Sequence, residues 1–260
     1  MVSVSRVPAL VVGTMAGSGF FNGTMVVDRD AAEARAFVQK AVGLGFRIFD
    51  TAPVYGRGHA EQDLGKWLPA DLEVWTKVGV DISGPLPRLD YSLDGMIASL
   101  SGSLERLGRS RVSVAMVHNP VPSVLTDLDL KGLADHCART GQADQIGVSV
   151  LTPEASLPLL APRLPAGSVV MCEADQMDPR DRELRAMCSD YRLVIRSIFS
   201  HGARLRGVPE ARRAAVIQER IDELSAVYSP AALVIGPRLA EHLDDYRPAG
   251  TWPPEMARVD

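Results

Sequence analysis

Val112-Ser-Val-Ala-Met-Val-His118 is a run of apolar, mostly β-branched residues that closes on a histidine. Its length and composition read as a strand, and its lack of polar alternation reads as one buried on both faces. Working outward, the same pattern recurs at Ala9–Thr14, Arg47–Thr51, Glu73–Val78, Gln145–Ser149, Ser168–Glu173, Leu193–Ile198 and Ala232–Gly236. Helical periods fall between these runs. Asp30-Ala-Ala-Glu33 forms a capping box ahead of Ala34, Phe37, Val38 and Ala41 on one stripe. Ser92 precedes Met96, Ile97, Leu100, Leu104 and Leu107, and Thr152-Pro153-Glu154 predicts an N-cap with proline in the first helical position. Asp181–Ser189 and Glu210–Val227 predict two further helices. Strands alternating with helices predict an α/β fold, a (β/α)8 TIM barrel in one domain over residues 1–260. A doubly wound sheet is the competing architecture.

Composition narrows the function classes. The chain has 260 residues, 46% hydrophobic and 23% charged, enough to bury a core without disulfide or metal staples. A net charge of −4 argues against a nucleic-acid partner, yet a local arginine cluster is enough to hold a small anion. Cys137, Cys172 and Cys188 are odd in number and widely spaced, which predicts reduced thiols in a cytoplasmic protein. The apolar stretch Pro8–Phe21 is broken by Gly13, Gly17, Ser18 and Gly19, so it reads as a strand and its loop rather than a signal peptide. No apolar run approaches the roughly 18 residues of a membrane span, and no membrane partner is expected. Gly17-Ser-Gly-Phe-Phe-Asn-Gly23 misplaces the third glycine of a dinucleotide loop, and His59-Ala-Glu61 lacks the P-C-x-x-C of a zinc deaminase. No metal site is expected.

Barrel chemistry sits at the C-terminal ends of strands. There the sequence places Asp50, Lys77 and His118 on successive strands, with Tyr55 on the loop after Asp50. Buried charge is costly unless paired, so Asp50 and Lys77 are expected to pair across neighbouring strands. An ammonium beside a phenol would lower its pKa from about 10, and a nearby histidine can orient a substrate oxygen. Such a tetrad suits protonation of a carbonyl oxygen while a hydride arrives at carbon.

On these residues the sequence resembles the aldo-keto reductases, NADPH-dependent (β/α)8 oxidoreductases. Phe49-Asp-Thr-Ala-Pro-Val-Tyr-Gly56, followed by Glu61, Leu64 and Gly65, is similar to one family signature. Ser103-Leu-Glu-Arg-Leu-Gly108 and Val117-His-Asn-Pro120 are similar to another. The form of Val117–Pro120 and of Arg196-Ser-Ile-Phe199 resembles the branch of bacterial aldose dehydrogenases, D-threo-aldose dehydrogenase among them. The resemblance implies reduction of an aldehyde, ketone or sugar, with Tyr55 as general acid, Lys77 and Asp50 tuning it, and His118 orienting the carbonyl. For NADPH it implies Gly13 and Thr14 near the nicotinamide, Ser149 and Glu173 at the carboxamide, and Arg196 stacked on the ring. Ser197, Phe199 and Gly202 would cover the pyrophosphate, and Arg238, with Glu241, would hold the adenosine end. Ala16–Val26, including Phe20 and Phe21, and Val121–Asp129 would line the substrate pocket.

Departures from the family pattern keep other readings open. Glu173 stands where an amide binds the carboxamide, and a carboxylate cannot donate there unless protonated. Val150 and His201 replace an asparagine and a glutamine of the family, and Asp244 or Asp245 replaces a late asparagine facing adenine. Between Leu205 and Leu233 the family carries a longer segment, whereas here the helix Glu210–Val227 must serve alone. Arg204, Arg206, Arg212 and Arg213 read either as a 2′-phosphate grip or as a solvated helix end. His59, His136, His201 and His242 read as surface or packing histidines, and Trp67 and Trp75 as packing. One alternative is a cofactor-independent lyase, dehydratase or isomerase on the same barrel, using Tyr55 and Lys77 as acid and base. Another is a regulatory subunit similar in logic to potassium-channel β subunits.

Overall fold

A computed structural model describes residues 8–15, 20–21, 24–25, 30–177, 191–229 and 231–248. The helix expected at Asp181–Ser189 lies outside the described residues, as do the side chains of Phe20 and Phe21. The eight expected strands all form: β1 Ala9–Gly13, β2 Ile48–Asp50, β3 Glu73–Val78, β4 Val112–His118, β5 Ala143–Val150, β6 Val169–Glu173, β7 Arg192–Arg196 and β8 Ala232–Ile235. All pair in parallel and in chain order, and β8 returns to β1 to close the barrel. Closure excludes the doubly wound sheet.

The strand period of two divides the strands, β5 apart, between two cores. Val11, Ile48, Trp75, Met116, Met171, Val194 and Val234 fill the barrel interior. Leu10, Phe49, Val74, Val117, Val148, Val170 and Ile195 face outward into the helix layer. Two residues beyond each interior filler, at the C-terminal mouth, stand Gly13, Asp50, Lys77, His118, Glu173, Arg196 and Gly236. The alternation that packs the barrel therefore also aims these positions inward.

The helices are α1 Ala31–Gly43, α2 His59–Trp67, α3 Leu93–Leu107, α4 Leu130–Thr140, α5 Pro153–Leu160 and α6 Glu210–Tyr228. Asp30 and Ser92 cap α1 and α3 through side-chain oxygens that accept from Ala32 N (2.7 Å) and Gly95 N (3.1 Å). Thr152 makes no such bond. Pro153 has no N–H to give, and Ser156 N already donates to the Thr152 carbonyl at 3.0 Å. Trp75 is wholly buried inside the barrel, and Trp67 packs on the outer core, as expected. Residues Pro122–Asp127 form a 3-10 turn whose Leu125 is buried under the helix layer, so this loop supports the core instead of walling a pocket. A small hairpin, Val80–Asp81 with Arg88–Leu89, follows β3. No helix among the described residues is long and apolar enough to cross a membrane.

Candidate active site

The barrel mouth opens into a cavity of about 590 Å³. At one end it is lined by Asp50, Tyr55, Lys77 and His118, and it continues past Ser149 and Arg196 to Arg206, Arg213, Arg238 and Asp245. The four residues expected to act together thus share one wall.

Asp50 and Lys77 are almost fully buried, and the Lys77 ammonium donates to Asp50 Oδ1 and, at 3.1 Å, to the Thr51 carbonyl. Burial pushes the Asp50 carboxyl up and the Lys77 ammonium down; their mutual attraction and hydrogen bond oppose both shifts. Tyr55 opens a tight turn over Tyr55–Gly58, with its own N–H bonded to the Ala52 carbonyl at 3.0 Å. Burial and the Asp50 carboxylate raise its phenol well above the usual value, and only Arg196 pulls in the other direction. The expected depression of the phenol by a neighbouring ammonium is therefore reversed, because desolvation outweighs the nearby positive charge. The His118 ring meets the Tyr55 ring edge to face at 6.1 Å. Burial first, then the charges of Lys77 and Arg196, lower the imidazole to about 3, and its Nδ1 is buried with no partner among the described residues. At neutral pH His118 is an uncharged ring facing an acid that holds its proton.

The signature residues around this wall are scaffolding. Glu61, fully buried, accepts from Thr76 Oγ1 at 2.6 Å and pairs with Arg106 at 2.7 Å, tying α2 to β3 and α3. A Cβ on Gly65 would stand 2.7 Å from the Leu107 carbonyl oxygen, so only glycine lets α2 and α3 approach this closely.

The cofactor-side expectations divide. Ser149, Arg196, Ser197, Phe199, Gly202 and Arg238 line the cavity. Thr14 does not: its N–H and hydroxyl both bond the Asp50 carbonyl, at 2.9 and 3.1 Å, while Gly13 and Met15 present the surface. The inward face falls on odd positions of β1, and Thr14 is even. Glu173 also lies behind the lining; its carboxylate is 3.3 Å from Arg196 Nη1 and 2.9 Å from His201 Nε2. Ser149 Oγ donates to Asn119 Oδ1 at 2.9 Å. Glu241 is absent from the wall.

Of the two late aspartates, Asp245 lines the cavity, whereas Asp244 pairs with Lys40 at 2.5 Å on the surface. Of the arginine cluster, Arg206 and Arg213 reach the cavity, and Arg204 is held by Asp175 at 3.2 Å. Arg213 sits 3.5 Å from Asp245, while the side chains of Arg206 and Arg238 make no hydrogen bond or ion pair among the described residues. Exposed His201 and half-buried His242, read as surface or packing groups, also border the cavity; His59 and His136 pair with Gln62 and Gln142 as ordinary surface histidines do. Sequence reasoning missed Asn119, Met15, Leu205, Ile217 and Tyr246 on the wall. Asn119 carried a signal, since an asparagine directly after a strand readily takes the left-handed backbone it adopts here (φ 51°).

Comparison with known proteins agrees with this architecture. The sequence profile of the Aldo/keto reductase family matches residues 9–211. An aldo-keto reductase of Mycolicibacterium paratuberculosis is 30% identical over 51% of this chain and 45% of its own length. A D-threo-aldose 1-dehydrogenase of a Pseudomonas species is 34% identical over 38% of this chain and 36% of its own. A proposed voltage-gated potassium channel subunit β of Schizosaccharomyces pombe is 34% identical over 36% and 30%. The matched region thus spans less than half the length of these curated relatives. Among solved structures, the holo form of an aldo-keto reductase from Bacillus halodurans superposes with a TM-score of 0.73 over 91% of this chain and 84% of that one, at 19% identity. That likeness is one of fold. With the profile covering most of the barrel, the chain belongs to the aldo/keto reductase family.

Proposed function

We propose that the chain is an NADPH-dependent oxidoreductase that reduces the carbonyl of a small aldehyde, ketone or sugar to an alcohol. One observation carries the reading: an acid, its buried ion pair and a neutral histidine share one end of a cavity whose other end offers Arg206 and Arg238, whose side chains have no partner among the described residues. The donor set suits a dinucleotide phosphate. Two cations lie at the far end, the buried Arg196 Nη2 midway has no partner among the described residues, and Gly236 leaves open space where a side chain would stand. Arg196, Ser197, Phe199 and Gly202 would hold its middle, and Ser149 and Asn119 its carboxamide. Glu173 is the misfit, because it is spent on Arg196 and His201.

When bound, reduced nicotinamide supplies the hydride. The chain's own residues handle the proton. His118, kept uncharged by burial, donates a ring N–H to the carbonyl oxygen and fixes its direction. Tyr55, whose raised pKa keeps it protonated, passes its phenolic proton to that oxygen as charge builds there. The phenolate left behind is offset by Lys77, which Asp50 holds in place, and by Arg196. Solvent then restores the phenol. Buried Cys137, outside any disulfide, suits a reducing, cytoplasmic setting, and the reading makes residues 1–260 a single barrel unit.

Titration with NADPH tests the assignment: saturable binding is expected, and none would overturn it. Tyr55→Phe should keep that binding and lower reduction about 10²- to 10⁴-fold, read in steady-state assays over a carbonyl panel. The position of Glu173 motivates a second reading, a cofactor-independent lyase, dehydratase or isomerase using Tyr55 and Lys77. It would be supported by turnover that persists without nicotinamide.

A further inference from the structure

Tyr55 opens the turn after β2 and His118 ends β4, yet one element touches the segments that carry both. The hairpin after β3 pairs Val80 with Leu89 and Asp81 with Arg88. It is stiffened by the Arg88–Asp81 ion pair at 2.9 Å and by Ser83 N donating to Asp81 at 2.8 Å. Ser99 Oγ ties it to α3 through the Val80 carbonyl at 3.1 Å. At its tip the Arg57 guanidinium, two residues past Tyr55, donates to the carbonyls of Pro85 at 2.5 Å and Gly84 at 2.6 Å. At its base the Tyr91 hydroxyl donates to the His118 carbonyl at 2.8 Å. The Tyr91 ring lies so close to Gly79 (φ 88°) that a Cβ there would stand 2.5 Å from it.

The backbone at Arg57 points the same way. Gly56, Arg57 and Gly58 are all left-handed, at φ 56°, 54° and 86°. Glycine takes this conformation freely, whereas a residue with a Cβ is strained in it. Arg57 accepts that strain and places two charge-assisted hydrogen bonds on the hairpin. Ile82 of the same hairpin lies against Gly58, where an added Cβ would stand 3.2 Å away.

We propose that this hairpin is a strap that sets the separation of Tyr55 from His118, with Arg57 and Tyr91 as positioning residues at its two anchors. Neither residue lines the cavity, so neither is expected to touch substrate or cofactor. The proposal rests on the assignment of Tyr55 as acid. Displacing an acid from its partner by around an ångström costs up to about 100-fold in rate.

The test uses the full chain with Arg57→Gly, Tyr91→Phe and their combination, beside Tyr55→Phe. Arg57→Gly removes the anchor and relieves the strained backbone, so it is expected to fold; Tyr91→Phe keeps the packed ring. Each single variant should lower kcat by about tenfold or more while NADPH affinity and melting temperature hold. Arg57→Lys, which still offers a charged donor, should recover part of the loss. Because slackening either end frees the strap, the double variant should be no slower than the slower single. Unchanged kcat in both single variants, with Tyr55→Phe inactive, would overturn the strap alone. Multiplied losses in the double variant would overturn it too, as the mark of two independent contacts. An active Tyr55→Phe would instead remove the acid assignment, and the strap with it.

Discussion

The two ends of the cavity are built differently. The Tyr55 end is made of strand-mouth residues and a turn braced from several sides: Lys77 on Asp50, Glu61 on Thr76 and Arg106, Arg57 on the hairpin. The end that carries Arg206 and Arg238 is made largely of loop. Ser197, Ser200, His201 and Gly202 there all hold positive φ, and the exposed side chains of Arg206 and Arg238 have no partner among the described residues. The first end is braced before any ligand arrives, which suits a proton transfer that tolerates little displacement. The second has solvated cations waiting for an anion, which suits a ligand that must come and go.

Breaking the fixed end should cost most. Lys77→Met leaves Asp50 buried without its ammonium, and removing one partner of such a pair costs about 3–5 kcal/mol. A lowered denaturant midpoint together with loss of reduction is expected, whereas an unchanged midpoint would show that water reaches Asp50. At the open end the expected loss is smaller and falls on binding. Arg238→Gln should weaken NADPH about tenfold and leave NADH unchanged, the scale of one charge-assisted hydrogen bond. The affinity of the parent chain for NADPH should also fall with added salt, since exposed cations are screened. Equal losses for both nucleotides would place Arg238 away from the 2′-phosphate.

A third experiment separates the ends by pH. The folded imidazole of His118 titrates near 3, whereas the unfolded chain takes up that proton near 6.5. Between those values the unfolded state binds more protons, so stability rises with pH and is lost on acidification from 6.5 toward 3. His118→Asn should flatten this slope relative to the parent in denaturant melts between pH 4 and 7, and an identical slope would show that the ring is solvated. The smallest effect is expected from Glu173→Gln. Its partner His201 is 46% exposed, and Arg196, though only 18% exposed, can still donate to the amide oxygen, so stability should change little. The amide regains a donor, and NADPH should bind roughly 2- to 5-fold tighter, as the gain of one neutral hydrogen bond allows. Weaker binding would mean that the carboxylate holds the cofactor loop in a useful place.

The contrast also explains what was legible in advance. Asp50, Lys77 and His118 were readable because each ends an apolar strand, and a strand's period of two leaves no choice about which face its last residue shows. The same rule, applied to β1, would have rejected Thr14 in favour of Gly13. Ser149, Arg196 and Arg238, each at or just past a strand's mouth end, line the cavity. Glu173 was located on its strand but not in its role, because its partner His201 lies beyond the next strand, on a left-handed loop residue. Helix α4 carried its own signals, an Asp129 cap on Gly132 N and a left-handed Gly141 stop, and these were overlooked. Helix α2 offered no side-chain cap and was harder to see.

The sequence by itself determined the barrel and the inward set of its strand ends, because local periodicity and burial decide both. Tertiary structure alone decided the electrostatics and the bracing. The phenol of Tyr55 rises instead of falling, because desolvation depends on everything packed around it. Arg57 reaches Gly84, Tyr91 reaches His118 and Asp245 rather than Asp244 faces the cavity. Such contacts join residues remote in the chain, and no local pattern encodes them until the barrel has closed.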